Sequence, residues 1–301
     1  MKPFVKWAGG KTKLLNTLEQ HLPYDFDNLK DLTYIEPFVG GGAMMFYMLR
    51  NHHNISHIII NDINKDLVGA YREIKDNPES IIAALEDISQ KYLSLKLEDR
   101  EHLYYQIRDD FNNMTMSLTR IVYFLFINHT CFNGLYRVNR TGKFNVPHGK
   151  YKNPPICDCK NILSVSKALK NVDITEGQYT SVFDIIDDNL KNVFYYLDPP
   201  YRPSSQNGQS GQMFTEYNKQ LFDDSCQDAL KRFCDTIHKK GWLFMLSNSD
   251  SKDDGIPYFD KLYAEYNIHR IVATKTINTY STNQRKLEEI IITNYSSLKN
   301  N

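Results

Sequence analysis

Four adjacent residues, Asp198-Pro199-Pro200-Tyr201, combine chemical groups that suit a reaction at an amino group. They follow an apolar run, residues 193–197, which is typical of a buried strand, and the prolines force the chain to leave the sheet after it. A carboxylate beside a proline carbonyl offers two neighbouring acceptors, which match the two donors of an exocyclic NH₂ group. Tyr201 adds a flat ring that can stack on the heterocycle carrying that amine. A plain turn after a strand explains the same residues, so other parts of the chain must decide.

The composition is that of an ordinary globular protein and excludes few classes of function. The 301 residues fit one large domain or one domain with an insertion. Because 36 basic side chains balance 36 acidic ones, the net charge indicates no class of partner. The first residues lack the apolar run of a signal peptide, no window is long enough to span a membrane, and the five cysteines have no disulfide or zinc spacing. We therefore expect a cytoplasmic protein with no metal site and no membrane contact.

One stretch of the chain has the order of a parallel βαβ unit. A strand predicted at 33–39 runs into Gly40-Gly41-Gly42, and a helical run at 43–49 follows. A second apolar strand at 57–60 then ends at Asn61-Asp62. This order predicts a glycine turn and an acid at neighbouring strand ends of one sheet.

The rest of the chain completes the fold prediction. Residues 68–166 show helical periodicity and polar loops, whereas apolar strands resume after them. The predicted strands are 173–175, 193–197, 242–247, 268–273 and 289–293, with a helix at 222–238. The last two strands are too close in sequence for a crossover helix, so we expect an antiparallel hairpin there. The pattern predicts an α/β fold with a mostly parallel sheet, a terminal antiparallel hairpin and a helical insertion.

The glycine turn and the acid after the second strand predict a nucleotide site. Glycines 40–42 allow close approach to the backbone, and Asp62 lies 20 residues beyond Gly42, at the spacing of a ribose-binding acid. Met45 stands where a dinucleotide motif needs its third glycine, which disfavours NAD and FAD. A cofactor with a ribose but no phosphate, S-adenosylmethionine, asks less of this loop. A glycine turn in a fold that binds no nucleotide is the alternative.

A long interval of the insertion, between Asp110 and Asp158, carries no acidic residue. Its basic side chains describe a positive surface suited to phosphates, and the interleaved amides and aromatic rings suit contacts with bases. The members are Arg120, Arg137, Arg140, Lys143, Lys150 and Lys152 with His129 and His148, interleaved with Asn133, Asn145, Tyr136 and Tyr151. A second polar-basic loop, 274–286, is expected to reach the same duplex. A solvated basic face without a function is the alternative.

Seven short motifs follow one another along nearly the whole chain. They read F-V-K-W-A-G-G-K at 4–11, E-P-F-V-G-G-G at 36–42, I-N-D-I-N at 60–64, F-N-G-L-Y-R-V-N at 132–139, F-N-V-P-H-G-K-Y at 144–151, D-P-P-Y at 198–201 and L-S-N-S at 246–249. In this order they resemble the Dam-type DNA adenine-N6 methyltransferases of bacteria and phages, the alpha group of the D12 class. Each motif alone is modest, whereas the ordered set is highly specific.

The resemblance implies a Rossmann-like, S-adenosylmethionine-dependent methyltransferase fold. It assigns residues 1–67 and 167–301 to a catalytic, cofactor-binding domain and residues 68–166 to an inserted target-recognition domain. The residues implied to line the cofactor site are Trp7, Lys11, Phe38, Gly40, Asp62, Gln178 and Asp198. Many relatives have Gly-Asp-Phe where this chain has Gly177-Gln178-Tyr179, and Gln178 can still bond an adenine edge.

The same resemblance assigns DNA contacts to the insertion. Arg137 is similar to the family's guanine-reading arginine, a bidentate donor to O6 and N7. Leu135 and Pro147 resemble its contacts to thymine methyl groups, Asn133 a neighbouring base contact and Phe132 an aromatic wedge. The full set of expected DNA-binding residues is Phe132, Asn133, Leu135, Arg137, Asn145, Pro147, Lys150 and Lys152. These matches imply GATC as the recognised sequence.

The implied activity is methyl transfer from S-adenosylmethionine to adenine N6 in duplex DNA by base flipping. The implied catalytic residues are Asp198, Pro199, Pro200 and Tyr201. The expected partner is double-stranded DNA, and the methyltransferase is expected to be a monomer. It belongs either to a restriction-modification system, with a cognate endonuclease that acts separately, or to an orphan system without one. The expected location is the bacterial or phage-infected cytoplasm, on the nucleoid through DNA.

Other classes of protein fit parts of the same pattern. Cytosine-N4 methylation of DNA, adenine-N6 methylation of RNA and glutamine-N5 methylation of a protein are the nearest alternatives. A nucleotide-linked oxidoreductase is disfavoured by Met45, and a non-catalytic DNA-binding module has no need of Asp62 and Asp198 at strand ends.

Overall fold

The computed structural model describes residues 1–202, 222–253, 255–274 and 286–297, with side chains described except at 272–274 and 286–288. The helices are α1 Leu15–Glu19, α2 Ala43–Asn51, α3 Lys65–Asp76, α4 Pro78–Ser94, α5 Leu97–Asn113, α6 Leu118–Thr130, α7 Cys159–Leu169, α8 Asp224–Lys239 and α9 Tyr258–Leu262. The strands are β1 Leu32–Glu36, β2 Ile55–Asp62, β3 Val172–Glu176, β4 Val193–Leu197, β5 Leu243–Ser249, β6 Lys252–Asp253, β7 Ile256–Pro257, β8 Asn267–Thr274 and β9 Lys286–Thr293. Within these residues no helix is long and apolar enough to cross a membrane.

A mixed sheet forms the centre of the fold, with its strands in the order β3-β2-β1-β4-β5-β9-β8. The strands from β3 to β5 run parallel, whereas β9 is antiparallel to both β5 and β8. The predicted α/β fold, a mostly parallel sheet that ends in an antiparallel hairpin, is confirmed and is Rossmann-like. The chain order reverses between β1 and β4, and ligands of such sheets bind in the crevice at the carboxyl ends of the strands there.

Two hydrophobic cores cover the opposite faces of the sheet. In β4, Phe194 and Tyr196 pack into one core, whereas Tyr195 and Leu197 pack into the other, as the period-two geometry of a strand requires. The first core includes side chains of α2 and α3, and the second includes side chains of α8 and α9. Because both faces are covered, the central strand β4 is a continuous apolar run without polar alternation.

The chain between β2 and β3 forms α3 to α7, in agreement with the helical periodicity of that interval. Apolar side chains of the insertion such as Leu85, Tyr104 and Phe124 join the same core as Tyr34 of β1. Helix α3 contacts both β3 and α7, and the predicted domain boundary after residue 67 falls inside this helix. The division at 68–166 therefore stays a prediction.

The helix predicted at 222–238 is α8, which begins at Asp224. Its start is fixed by Asp223, whose carboxylate accepts the backbone N–H of Cys226 at 3.1 Å. A carboxylate at this position satisfies one of the donors that the first turn of a helix leaves without a partner. Asp223 therefore marks the start of the helix better than the apolar pattern, which placed the start at residue 222.

Candidate active site

The crevice between the carboxyl ends of β1 and β4 brings Lys11 and Asp198 together. The Lys11 ammonium donates to Asp198 Oδ1 at 2.5 Å and to the Gly9 carbonyl at 3.3 Å. The same ammonium lies 4.6 Å from the centre of the Tyr201 ring, in cation–π geometry. The loop before β1 thus delivers a buried cation to the acid that follows β4.

Burial and the neighbouring cation act on the Asp198 carboxyl in opposite directions. Its side chain is 19% exposed, and that of Lys11 is 6% exposed. Burial raises the pKa of Asp198, whereas the charge and hydrogen bond of Lys11 lower it, and the net direction is upward. Lys11 is therefore the group that favours the anionic, hydrogen-bond-accepting form of Asp198.

The rest of the tetrapeptide is held by its surroundings. The chain leaves the sheet after Leu197, and of the two prolines that follow Asp198, Pro199 is buried and Pro200 is exposed. The Tyr201 hydroxyl donates to Glu289 Oε2 of β9 at 3.0 Å. Burial, followed by the charges of Asp198 and Glu289, raises the pKa of Tyr201 well above its usual range. The ring is therefore a neutral, oriented surface beside the carboxylate.

The glycine turn after β1 is held to the acid that ends β2. The backbone N–H of Gly40 donates to Asp62 Oδ2 at 3.0 Å, and the N–H of Asn64 donates to Asp62 Oδ1 at 2.9 Å. Each carboxylate oxygen can accept a further hydrogen bond. Burial raises the pKa of Asp62, and the backbone donors oppose that effect. The predicted glycine turn and the predicted ribose-binding acid are thus in direct contact, through Gly40 and Asp62.

Trp7 lies against this turn and makes glycine necessary in it. A Cβ atom at Gly40 would lie 2.9 Å from Trp7 Cδ1, and the φ angle of Gly40 is +48°. The Trp7 ring also stacks on Tyr136 of the insertion, with centroids 5.6 Å apart and planes at 29°. Tyr71 of α3 also contacts the turn, because its hydroxyl donates to the Gly40 carbonyl at 3.0 Å. Trp7 therefore contacts both the turn and the helical insertion.

The other predicted cofactor residues lie on the next strand ends. Phe38 stacks on Tyr179, with centroids 5.1 Å apart and planes at 30°, and the Gln178 side chain is exposed beside them. The buried amide of Asn61 donates to the carbonyls of Pro37 at 3.1 Å and Gly177 at 3.0 Å. Asn61 thus ties together the chain after β1 and the chain after β3. Sequence reasoning gave it no role, although its position next to Asp62 was visible.

A second acid under the site also received no role from the sequence. Glu36 ends β1, is 2% exposed and accepts a hydrogen bond from the Tyr34 hydroxyl at 2.8 Å. Burial raises the pKa of Glu36 well above its usual range, and the charge of Asp198 adds to the increase. In the sequence, Glu36 could have been noticed as a charged residue at the end of a mostly apolar predicted strand.

Six of the eight predicted DNA-binding residues lie along two adjacent segments of the insertion, 131–139 and 143–149, and the other two, Lys150 and Lys152, follow directly. Antiparallel bridges join Cys131 to His148 and Val138 to Phe144. We call this paired segment, residues 131–149, the recognition hairpin. It brings together Phe132, Asn133, Leu135, Arg137, Asn145 and Pro147, of which Phe132 is 50% exposed. The hairpin holds the predicted base-contacting residues on one ribbon.

Arg137 and Asn145 face each other across the recognition hairpin. Arg137 Nε donates to Asn145 Oδ1 at 2.8 Å, and the Asn145 backbone N–H donates to the Arg137 carbonyl at 3.1 Å. These contacts fix the base of the guanidinium fork. Asn145 is thus placed to orient Arg137.

The basic interval contains interior residues as well as surface residues, which corrects its interpretation as one positive face. Arg120 is 9% exposed, and its Nε and Nη2 donate to the two Asp66 oxygens at 2.7 and 3.1 Å. Burial lowers the pKa of His129 to about 4 and also lowers that of His148. These three residues stabilise the interior of the insertion and do not contribute to a cationic surface.

The remaining basic residues of the interval are on the surface. Arg140, Lys143, Lys150 and Lys152 are exposed, and the Lys150 ammonium lies 3.3 Å from Glu101 Oε2. The loop 274–286, expected to reach the duplex as well, lies outside the described residues apart from the backbone at its two ends.

One buried amide joins the cofactor side of the crevice to the recognition hairpin. Asn128, at 2% exposure, accepts from the Lys6 N–H at 2.8 Å and donates to the Lys6 carbonyl at 2.8 Å and the Gly134 carbonyl at 3.4 Å. Lys6 directly precedes Trp7, and Gly134 lies between two predicted base-contacting residues. The segment that carries Trp7 is therefore hydrogen-bonded to the insertion.

No group of three or more His, Cys, Asp or Glu side chains is placed to hold a metal ion in the described part of the chain. Fold and site together define an α/β protein with a glycine turn and the Asp198-Pro199-Pro200-Tyr201 tetrapeptide at one topological switch point. The sequence profile of the D12 class N6 adenine-specific DNA methyltransferases matches residues 7–277. The chain belongs to this family. It is an enzyme, an adenine-specific DNA methyltransferase.

Individual relatives cover almost the full chain. A protein of Methanocaldococcus jannaschii named type II methyltransferase M.MjaIII is 42% identical over 299 residues, which are 98% of this chain and 99% of that protein. The type II methyltransferase M1.LlaDCHI of Lactococcus lactis subsp. cremoris is 36% identical over 99% of this chain and 96% of its own. The DNA adenine methylase of Escherichia coli K12 is 28% identical over 96% of this chain and 94% of its own. The predicted resemblance to Dam-type enzymes is confirmed.

Proposed function

We propose that this enzyme transfers a methyl group from S-adenosylmethionine to N6 of an adenine that has been flipped out of duplex DNA at GATC. One observation carries the proposal: Asp198 follows β4 at the strand end next to the Gly40 turn that follows β1, so an amine-binding and a nucleotide-binding group share one crevice. The family's specificity for adenine N6 in DNA favours this activity over cytosine-N4 and RNA methylation.

The residues at the carboxyl end of β1 and β2 fit S-adenosylmethionine. Gly40 and Trp7 form a close cradle that a Cβ atom would fill, and Asp62 presents a carboxylate oriented by two backbone donors. Carboxylates at this place in such folds accept ribose hydroxyl groups. Phe38 and Gln178 supply an apolar ring and an amide for the adenine of the cofactor. Lys11 completes the set from the loop before β1.

The tetrapeptide then binds and orients the amine. S-adenosylmethionine, when bound, supplies an electrophilic methyl group on a sulfonium sulfur. The Asp198 carboxylate and the Pro199 carbonyl accept the two N6 hydrogens, which draws the nitrogen toward tetrahedral geometry, while the Tyr201 ring stacks on the base. Formation of the new N–C bond would break the methyl–sulfur bond and leave S-adenosylhomocysteine, and one N6 proton would pass by way of Asp198 to solvent. This proton becomes acidic only as the new bond forms, so Asp198 serves as an oriented anion and need not be a strong base. Positioning and electrostatics supply most of the acceleration.

The target adenine must leave the helix to reach this crevice. In the duplex adenine N6 is hydrogen-bonded to thymine and held at the edge of a stacked base pair, and extrusion of the base costs a few kcal/mol. The exposed Phe132, at the open end of the recognition hairpin beside the Cys131–His148 bridge, is suited to fill or prop the stack. We propose that it acts as this wedge.

We propose that the inserted segment 68–166 selects the sequence. In this account Arg137 donates to O6 and N7 of guanine, and Leu135 and Pro147 contact thymine methyl groups. Asn133 adds a neighbouring base contact, and Asn145 reinforces Arg137. Lys150 and Lys152 are the proposed phosphate contacts, which position the enzyme without reading the sequence.

The biological setting proposed is DNA modification beside a separately acting restriction endonuclease, by a monomeric methyltransferase. Two of the relatives are named type II methyltransferases, and this supports the proposal. Plasmid DNA from cells that express the enzyme should then resist a nuclease that cuts only unmethylated GATC.

The proposed function is tested with purified enzyme, methyl-labelled S-adenosylmethionine and two duplexes that differ only in one GATC site. Label should enter the duplex with the site, and its nucleosides should contain N6-methyladenine. Equal incorporation into both duplexes would overturn the GATC assignment, and N4-methylcytosine as the product would overturn the reaction.

A further inference from the structure

Arg202, the residue after the catalytic tetrapeptide, is held by two acidic residues from different elements. Its Nε and Nη2 donate to the two Asp224 oxygens at 2.6 and 3.0 Å. Its Nη1 and Nη2 donate to the two Asp253 oxygens at 2.8 and 2.9 Å. Asp224 opens α8, whereas Asp253 belongs to the β6–β7 hairpin. One guanidinium therefore joins the end of the tetrapeptide to two separate elements.

The guanidinium is also packed and mostly shielded from water. Its central carbon lies 3.9 Å from the centre of the Tyr258 ring, and the side chain is 10% exposed. Hydrogen bonding to Asp224, against the opposing effect of burial, raises the pKa of Arg202. Two bidentate pairs and a ring contact use the planar fork of arginine in a way that a lysine ammonium cannot reproduce. The contacts fix both the position and the plane of the guanidinium.

These contacts act on Tyr201 through one peptide bond. The Tyr201 hydroxyl is tied to Glu289 at 3.0 Å, so its ring is held at the far end by β9. Arg202 holds the main chain at the near end by α8 and β6. With both ends fixed, the ring has a defined plane beside Asp198.

We propose that Arg202 is a positioning residue that sets the Tyr201 ring for stacking on the flipped base, by anchoring the chain after the tetrapeptide to Asp224 and Asp253. This inference rests on the proposed function, because it takes Tyr201 as the stacking residue. Arg202 touches no reacting atom, and its effect appears in turnover more than in the binding of either substrate.

The chain offers a matched control. Arg270 also joins two acidic residues, since its Nε donates to Asp250 Oδ2 at 3.0 Å and its Nη2 to Asp260 Oδ1 at 2.5 Å. It lies on β8, its described partners Asp250 and Asp260 are not those of Arg202, and its side chain is 43% exposed. Arg202→Ala and Arg270→Ala therefore remove the same side chain from similar acidic surroundings.

Steady-state kinetics on a GATC duplex gives the first readout. Arg202→Ala should lower kcat by about 10- to 100-fold, with KM for DNA and for S-adenosylmethionine changed by about threefold or less. Arg202→Lys should fall between wild type and Arg202→Ala, and Arg270→Ala should retain the wild-type kcat. Equal kcat values for the two alanine variants would overturn the proposal.

A double-variant cycle gives the second readout. If Arg202 acts through the Tyr201 ring, Arg202→Ala should change kcat by less than about twofold in a Tyr201→Ala background. If the loss of kcat in the double variant equals the product of the losses in the two single variants, the proposal is overturned, because independent structural effects on kcat multiply. Should Arg202→Ala fail to fold, Asp253→Asn removes one partner only and is tested in the same cycle. A wild-type enzyme that forms no N6-methyladenine contradicts the proposed function, whereas an active wild type with Arg202→Ala equal to Arg270→Ala contradicts this inference alone.

Discussion

The Lys11 ammonium lies 2.5 Å from Asp198 Oδ1, although the two residues are 187 positions apart in the chain. Burial raises the pKa of the Asp198 carboxyl, and Lys11 opposes that effect. The pair links the first loop of the chain to the tetrapeptide after β4. It gives Lys11 a second role beside the proposed cofactor contact, which is to keep Asp198 in its accepting form.

Replacement of Lys11 by Met should therefore change the pH dependence of turnover. The substitution removes the group that lowers the pKa of Asp198 and leaves the burial that raises it, so the folded-state pKa of Asp198 moves further up. Because the anion is the proposed acceptor, the rate is lost as pH falls through that pKa. The acid limb of kcat against pH should move to higher pH in Lys11→Met.

The measurement uses saturating DNA and S-adenosylmethionine at each pH, so that weaker cofactor binding does not enter kcat. Lys13→Met is the control, since Lys13 is an exposed lysine of the same loop. If the acid limb of kcat against pH is the same in Lys11→Met as in wild type, the protonation of Asp198 does not control kcat.

Replacement of Arg137 by Ala should relax the choice of one base pair. A bidentate arginine contact to guanine contributes about 1–3 kcal/mol of discrimination. The measurement is kcat/KM on GATC and on duplexes with each single substitution. Asn145→Ala should weaken discrimination at the same base pair by a smaller amount, because Asn145 Oδ1 orients the Arg137 fork at 2.8 Å.

Lys152→Ala is the comparison for these two variants. As a proposed phosphate contact it should lower kcat/KM on all duplexes alike and reduce the salt dependence of DNA binding. Uniform weakening by Arg137→Ala would mean that Arg137 is a phosphate contact as well.

Replacement of Asp66 by Ala should destabilise the insertion. It leaves the Arg120 guanidinium buried without its carboxylate, and the loss of one partner of such a pair costs about 3–5 kcal/mol in the free energy of unfolding. Urea unfolding followed by circular dichroism measures the change.

The control is Asp188→Ala, because Asp188 pairs with Lys240 at 2.7 Å and is 70% exposed, so its loss should cost about 1 kcal/mol or less. Equal effects would mean that the Arg120–Asp66 pair is not an internal support.

Much of the fold was predictable because its signals are local. The strands at 193–197 and 289–293 are apolar runs, and the short connection between the last two strands leaves only an antiparallel pairing. Asp62 and Asp198 were predictable because turns and prolines place them at strand ends. The interior of the insertion was not predictable, because the sequence does not distinguish a basic side chain on the surface from one in a buried ion pair. Arg120 and His148 illustrate this: the acid and the hydroxyl that hold them, Asp66 and Tyr92, come from α3 and α4.

The contacts between distant segments were also beyond the sequence pattern. Asn128 holds the backbone of Lys6 across 122 positions, and Arg202 reaches Asp253 across 51. Neither spacing corresponds to a helical or strand period. Such contacts depend on how the loops meet around the finished sheet.

The most direct test of the account compares wild type with Asp198→Ala on one GATC duplex. Nucleosides from each reaction are separated and quantified by mass spectrometry, and duplex binding is measured in parallel. Wild type should form N6-methyladenine and Asp198→Ala should form none, with duplex affinity changed by about threefold or less. N6-methyladenine formed by Asp198→Ala at the wild-type rate would contradict it.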